Sequence, residues 1–271
     1  MRDFGEDFAQ LYGDAWEELR KLRTSCTEVD NECTPILAFG QWRTARLITA
    51  GLNPSEDEFR DKHQLDPNGQ KLPLKGRRQR FLHWPKEGSL NSELQREAFR
   101  RAEGYFTIGN AYNEWFGAYS DFLSAMGWTF VEGQACHTDY ISPFATAKGI
   151  SKCCRSTISA LNVRGFSYWV RMIELCPRAE IIFGHGRGWR QINDFFGVAL
   201  TDLRTPFDEK GGPTRHLSTA TIRLPHTNRS FLVYWWHPNR DGMPLCFLSP
   251  NEKRVLGEII KEDIAAKRSR S

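Results

Sequence analysis

The stretch Ala45-Arg46-Leu47-Ile48-Thr49-Ala50 runs directly into Gly51-Leu52-Asn53-Pro54-Ser55. A short β-prone run that stops at Gly, Asn, Pro and Ser reads as a strand delivering a polar loop. The same pattern recurs along the chain. Thr138-Asp139-Tyr140-Ile141-Ser142-Pro143 reads as a second strand end. Ala179 to Phe183 is a continuous apolar run of the buried-strand kind, stopping at Gly184-His185-Gly186-Arg187-Gly188. Ser230 to Trp236 ends at His237-Pro238-Asn239-Arg240-Asp241-Gly242 and, with Thr219 to Leu224, flanks the polar turn Pro225 to Arg229.

Between these runs the apolar period changes from two to 3.6. Phe8, Leu11, Tyr12, Ala15, Trp16 and Leu19 line one face of a helix over Asp7 to Leu22, and helical spacing returns at about Asn113 to Met126, at Ser156 to Leu175 and at Asn251 to Ala266. Strands alternating with helices, without an internal repeat, predict an α/β fold with a mostly parallel sheet. A length of 271 residues fits a single domain spanning 1–271. From Phe59 to Arg101 the text is polar and basic, and it reads as an excursion from the sheet at about 60–101.

Composition narrows the function classes. Hydrophobic residues make up 40% and charged residues 26%, which excludes global disorder. The net charge of +4 is compatible with a polyanionic partner, but only its distribution can decide. No apolar run approaches the roughly 18 residues that span a bilayer, and the acidic, amphipathic start MRDFGEDFAQ is not signal-like, so a cytoplasmic protein without a membrane partner is expected. Cysteines at 26, 33, 136, 153, 154, 176 and 246 are odd in number and contain no C-x-x-C pair, which argues against a disulfide framework or a zinc ribbon. An iron–sulfur cluster on Cys26, Cys33 and two later cysteines is rejected as well, and the expectation is a chain with no metal and no cofactor, acting as a monomer.

In such sheets ligands collect beyond the carboxyl ends of the strands, so the polar loops are expected to converge on one cleft. Each motif alone is weak: Asn-Pro-Ser is a common turn, and His-Pro after a strand is often structural. In this order, however, Gly51-Leu52-Asn53-Pro54 and His237-Pro238-Asn239 resemble the first and last motifs of the uracil-DNA glycosylase superfamily. Asp139 at the intermediate strand end and Ile181 to Gly184 as the central strand extend the resemblance over roughly Arg46 to Ile260, leaving out the basic excursion.

The resemblance implies a three-layer α/β/α fold and a metal-independent enzyme that hydrolyses the N-glycosidic bond of a flipped base in DNA. Breaking that bond puts positive charge on the sugar and negative charge on the departing base, so a donor near the base and a positioned water near the sugar are what an enzyme adds. His237 would hydrogen-bond the departing base. Asn53 would hold the water; an Asn cannot take a proton as a carboxylate does, so either leaving-group stabilisation dominates or Asp57 or another acid assists. The rival reading makes Asn53 only a turn former.

Two departures from the uracil pattern bear on the substrate. Asp139 stands where the uracil enzymes commonly carry an Asn, and a carboxylate accepts from the N4 amino group of cytosine, or donates to N3 if protonated, whereas uracil offers an acceptor O4. The alternative is that Asp139 only caps its loop. Ser55 stands where a Tyr excludes 5-substituted pyrimidines, and a small residue leaves room at C5. Together they suggest a C5-modified cytosine, such as the glucosylated hydroxymethylcytosine of phage DNA, and a defence role resembling that of glycosylases that inhibit bacteriophage replication.

Further residues are assigned to DNA. Arg240 stands where the superfamily carries its wedge, with phosphate contact as the alternative, and Asn239 adjoins it. Tyr105 and Phe106 are candidates to stack on the flipped base, against core packing as the commoner fate of paired aromatics. Lys75, Arg77, Arg78 and Arg80, in the stretch Lys71 to Lys86, could track phosphates while Phe81 and Trp84 stack on bases, against a merely solvated loop. No lysine stands out in the motifs, which predicts a monofunctional enzyme. A repair glycosylase acting on uracil or another deaminated base and a non-catalytic module binding modified DNA are the rival functions. A deaminase lacks its His-x-Glu and Pro-Cys-x-x-Cys signature, and Glu56, Asp57 and Glu58 form an isolated cluster rather than a nuclease's spread carboxylates.

Overall fold

The computed structural model describes residues 4–30, 32–55, 58–59, 81, 84–85, 88–107, 111, 113–147, 149–186, 188–203, 216–237, 245 and 248–269. In chain order its elements are α1 (Phe4–Ser25), β1 (Leu47–Gly51), α2 (Ser92–Glu103), α3 (Asn113–Phe116), α4 (Ser120–Met126), β2 (Ala135–Asp139), α5 (Arg155–Glu174), β3 (Ile181–His185), α6 (Trp189–Phe196), β4 (Thr201–Leu203), β5 (His216–Arg223), β6 (Ser230–His237) and α7 (Pro250–Arg268). The fold is α/β, with a six-stranded mixed sheet in the order β2-β1-β3-β6-β5-β4.

β1, β3 and β6 run parallel, with Ala50 beside Gly184 and Gly184 beside Trp235. Arg46 N bonds Gln134 O and Tyr140 N bonds Gly51 O, so β2 and β1 also rise together. β1, β2 and β3 are buried at every residue, as expected of parallel strands covered on both faces. β5 and β6 form the antiparallel hairpin read from the sequence, from Arg223 opposite Ser230 to His216 opposite His237, and β4 adds an exposed three-residue edge.

The residues divide into two compact units. One comprises Met1–Gly40, Gly51–Ala111 and His137–Leu175; the other comprises Gln41–Ala50, Tyr112–Cys136 and Cys176–Ser271. In the first, α1 packs against α5, where Arg171 reaches Asp14 at 2.7 Å and the Tyr168 hydroxyl donates to Asp14 O at 3.0 Å. α1 also packs against α2, with Phe8 meeting Phe99 edge-on at 5.2 Å. In the second, α4 packs against α7, whose start is fixed by a capping box: Ser249 accepts from Glu252 N, the Glu252 carboxylate accepts from Ser249 N, and Pro250 opens the first turn.

Three differences from the sequence reading have physical causes. The helix expected over 113–126 is broken into α3, a 3-10 turn at Gly117–Tyr119 and α4, because a glycine inside the stretch weakens helix propagation. α2 lies where only a polar excursion was expected. It buries only Ala98 and Ala102, too weak an apolar stripe to read, and is held instead by its Asn91 cap and by Glu97 bonded to Arg100 and Arg101. α6 is an eight-residue helix that buries only Ile192. No helix among the described residues is long and apolar enough to cross a membrane.

Candidate functional site

In the first unit the loop that follows β1 is held by backbone bonds. Gly51 O accepts from Tyr140 N at 2.9 Å and Leu52 O from Ile141 N at 3.0 Å, so ladder pairing continues past the ends of both strands. Ser55 then bridges Thr146 in parallel fashion, and Thr146 is paired on another side with Val29. Ser142 to Thr146 are all buried, which fixes the wall against which residues 51–55 lie.

Asn53 is oriented by that wall. Its Nδ2 donates to Pro54 O at 3.0 Å, Phe144 O at 3.3 Å and Thr146 Oγ1 at 3.3 Å. Two of these acceptors are carbonyls, which only the amide nitrogen can meet, so the hydrogen-bond network settles which end of the amide faces inward. Oδ1 makes no hydrogen bond among the described residues. It is an acceptor held in a fixed direction, suited to orienting a water but unable to take its proton.

Asp139 closes β2. His137 and Asp139 are two residues apart and therefore share one face of the strand. Nε2 of His137 faces Oδ1 of Asp139 at 3.4 Å, and both side chains are buried, at 2% and 4% exposure. Oδ2 of Asp139 is buried with no hydrogen-bond partner among the described residues. A buried polar atom left unmet costs about 1–3 kcal/mol, so a donor brought to this oxygen would be bound favourably. Gly51 is required beside the pair, because a Cβ there would overlap Asp139 Oδ1 and the His137 ring. The sequence reading found Asp139 but missed His137; period-two alternation back from Asp139 was the available signal.

Tyr105 and Phe106 are both buried, at 3% and 9% exposure. Tyr105 packs with Phe39 edge-on at 5.0 Å, stacks with Phe81 at 5.4 Å and donates its hydroxyl to Glu58 at 2.5 Å. Its ring is engaged in packing, and Glu58, one of the three clustered acids, is buried beneath it. Trp84 stacks on Trp16 at 4.1 Å, with the Arg23 guanidinium 4.2 Å from its ring centre. Phe81 is thus a core aromatic of this unit, and Trp84 is a half-buried one already flanked by Trp16 and Arg23. Ser55 is partly exposed.

In the second unit β6 ends at His237. Its imidazole stacks on that of His216, its directly opposite partner on β5, with centroids 4.3 Å apart and planes 15° apart. His216 Nε2 lies 3.7 Å from Asp202 Oδ1, which also accepts from Ser218 Oγ at 2.6 Å. Burial first, and then the neighbouring His216, push the His237 imidazole down to about 4, with Asp202 acting in the opposite direction. His237 is therefore neutral at pH 7 and keeps one N–H to give. Its Nε2 is buried with no hydrogen-bond partner among the described residues. The sequence does not show Asp202, because β4 is too short and polar to register as a strand, nor His216, because β5 begins three residues before the run that starts at Thr219.

Beside β6, Gly184 lets the Trp235 ring lie across β3, where any Cβ would collide with three ring atoms. Trp235 Nε1 donates to Gly186 O at 2.7 Å, so the ring cannot swing away.

Arg240, Asn239, Lys75, Arg77, Arg78, Arg80 and Asp57 lie outside the described residues. Among the described residues no group of three or more His, Cys, Asp or Glu is arranged to hold a metal ion. No protein-family model matches the chain, and no curated protein matches it.

Proposed function

We propose that the chain is a monofunctional DNA N-glycosylase with a three-layer α/β/α fold of the uracil-DNA glycosylase kind, acting on a C5-modified cytosine and leaving an abasic site. The observation that carries the reading is the anchoring of Asn53, whose amide nitrogen is bound to Pro54, Phe144 and Thr146 while Oδ1 stays available. With the nitrogen tied in this way, Oδ1 is an acceptor held in one direction, which is what orienting a water requires.

The chemistry assigns the roles. The bond from C1′ to the base breaks with its electron pair going to the base, a water oxygen bonds to C1′, and the proton that this water loses ends, by way of solvent, on the departing base anion. Asn53 Oδ1 would hold that water. The neutral His237, with an N–H to give, would stabilise the negative charge building on the base, as a donor aimed at developing charge does. Asp139 would read the base edge and Ser55 would leave space at C5. Phe106 remains the stacking candidate, and the basic stretch with Arg240 and Asn239 would hold DNA phosphates. Cytoplasmic location, a monomeric state and defence against phages belong to this same reading.

The test is release of base from oligonucleotides carrying cytosine, uracil, 5-hydroxymethylcytosine or its glucosylated form, followed by alkaline cleavage. Excision of the substituted cytosines is expected, with Asn53→Ala and His237→Ala each losing about 10²–10³ in kcat. Asn53→Asp, which brings in the residue of the uracil-directed enzymes, is not a rescue here, because it turns an oxygen toward two carbonyls. Product on uracil alone would move the reading to base repair. No product on any base would leave a modified-DNA binding module.

A further inference from the structure

We propose that His137 is a positioning residue that fixes the Asp139 carboxylate so that Oδ2 accepts from an exocyclic amino group, limiting the substrate class to bases with an amino-bearing edge. The inference deepens the glycosylase reading and rests on it. Three features enclose the pair. The imidazole is held on one side by Phe39, whose ring meets it edge-on at 5.3 Å, and its backbone is pinned by bonds from Phe39 N to His137 O at 2.8 Å and from His137 N to Phe39 O at 2.9 Å. Gly51 closes another side, since its Cα leaves no room for a Cβ against either group. Within this enclosure Nε2 lies 3.4 Å from Oδ1, so the imidazole takes the side of the carboxylate on which that oxygen stands.

Asp139 is only 6% exposed, and its other oxygen, Oδ2, has no partner among the described residues. A carboxylate oxygen only accepts, so the group that satisfies it must bring an N–H or O–H. Cytosine-type bases carry an amino group at C4, whereas uracil-type bases carry a carbonyl there that would face the carboxylate oxygen-to-oxygen. A site built to meet a donor strongly rejects an analogue without one, because its buried group is then left unpaired. Without the His137 ring beside Oδ1, nothing would select which of the two oxygens faces the base.

The decisive pair of substrates is 5-hydroxymethylcytosine and 5-hydroxymethyluracil, which share the C5 substituent and differ at C4. The full chain should show kcat/KM higher on the amino base by about 100-fold or more. His137→Phe keeps a ring beside Phe39 but has no N–H, and should cut that ratio at least about tenfold. His137→Gln offers an amide N–H at a similar reach and should restore most of it. Asp139→Asn can donate as well as accept and should shift the preference toward the carbonyl base. The inference is overturned if the wild-type chain prefers the carbonyl base. It is equally overturned if His137→Phe lowers activity on both bases alike, for that is a merely structural loss. Should no base be released by any protein, the glycosylase reading falls, and the ratio of Kd values for the two oligonucleotides then decides on His137 by the same criteria.

Discussion

His237 illustrates how a single residue can be set by its cross-strand partner. A stacked, half-buried imidazole with a second imidazole opposite has two reasons to refuse a proton, and both push it down to about 4. The unfolded chain binds that proton near pH 6.5, so the folded state gains its full advantage above that value and loses it as the pH falls toward 4. Unfolding midpoints in denaturant should therefore drop between pH 6.5 and 4 more steeply in wild type than in His237→Phe. An NMR titration of His237 should show an inflection near 4, moved upward in His216→Phe but not to 6.5, because burial remains the larger cause. A wild-type inflection at 6.5 would remove His216 from any role in keeping His237 neutral. Excision by His237 should show no acid limb between pH 5 and 8 from this group.

At the scale of elements, parallel strands were the most legible part of the chain. Ile181 to Phe183 is apolar without alternation, and the run into Gly184 announced both the burial of β3 and its end. The less visible feature is what Gly184 does, which depends on a residue 51 positions away on the neighbouring strand: the Trp235 ring occupies the space of the missing side chain. Gly184→Ala should destabilise by about 1–3 kcal/mol, since the ring is tied to Gly186 O and cannot retreat. Urea unfolding would measure it, and Gly184→Ala combined with Trp235→Leu should recover part of that stability as a coupling between neighbours. Equal midpoints for Gly184→Ala and wild type would mean the ring moves after all. Elements without an apolar signature were illegible for the same kind of reason. α2 is stabilised by a cap and by charge pairs, and β4 is an exposed edge, so neither imprints a periodic apolar pattern.

For the whole molecule, sequence order singles out Asn53, Asp139 and His237, because turn residues and strand ends are written locally. It missed His137, His216 and Asp202, whose relevance arises only from pairing across strands and along one face. Charge is the property that sequence shows best at this scale. The stretch Lys71 to Lys86 carries six Lys and Arg residues and no acid, while the whole chain is only +4, so the remainder is slightly negative. Phe81 from this stretch is buried and half-buried Trp84 is already stacked on Trp16, which leaves the cations as the better means of meeting DNA. If they do, log K for DNA should fall linearly with log salt. Replacing Lys75, Arg77, Arg78 and Arg80 with Gln should then flatten the slope by about 0.9 for each phosphate that is no longer neutralised. Affinity should fall uniformly across base sequences, and the preference between 5-hydroxymethylcytosine and 5-hydroxymethyluracil should not change, because cations on phosphates position the duplex without reading bases. A slope that stays the same in the fourfold variant would make the stretch a solvated loop. A changed base preference would instead bring it into the recognition of the base.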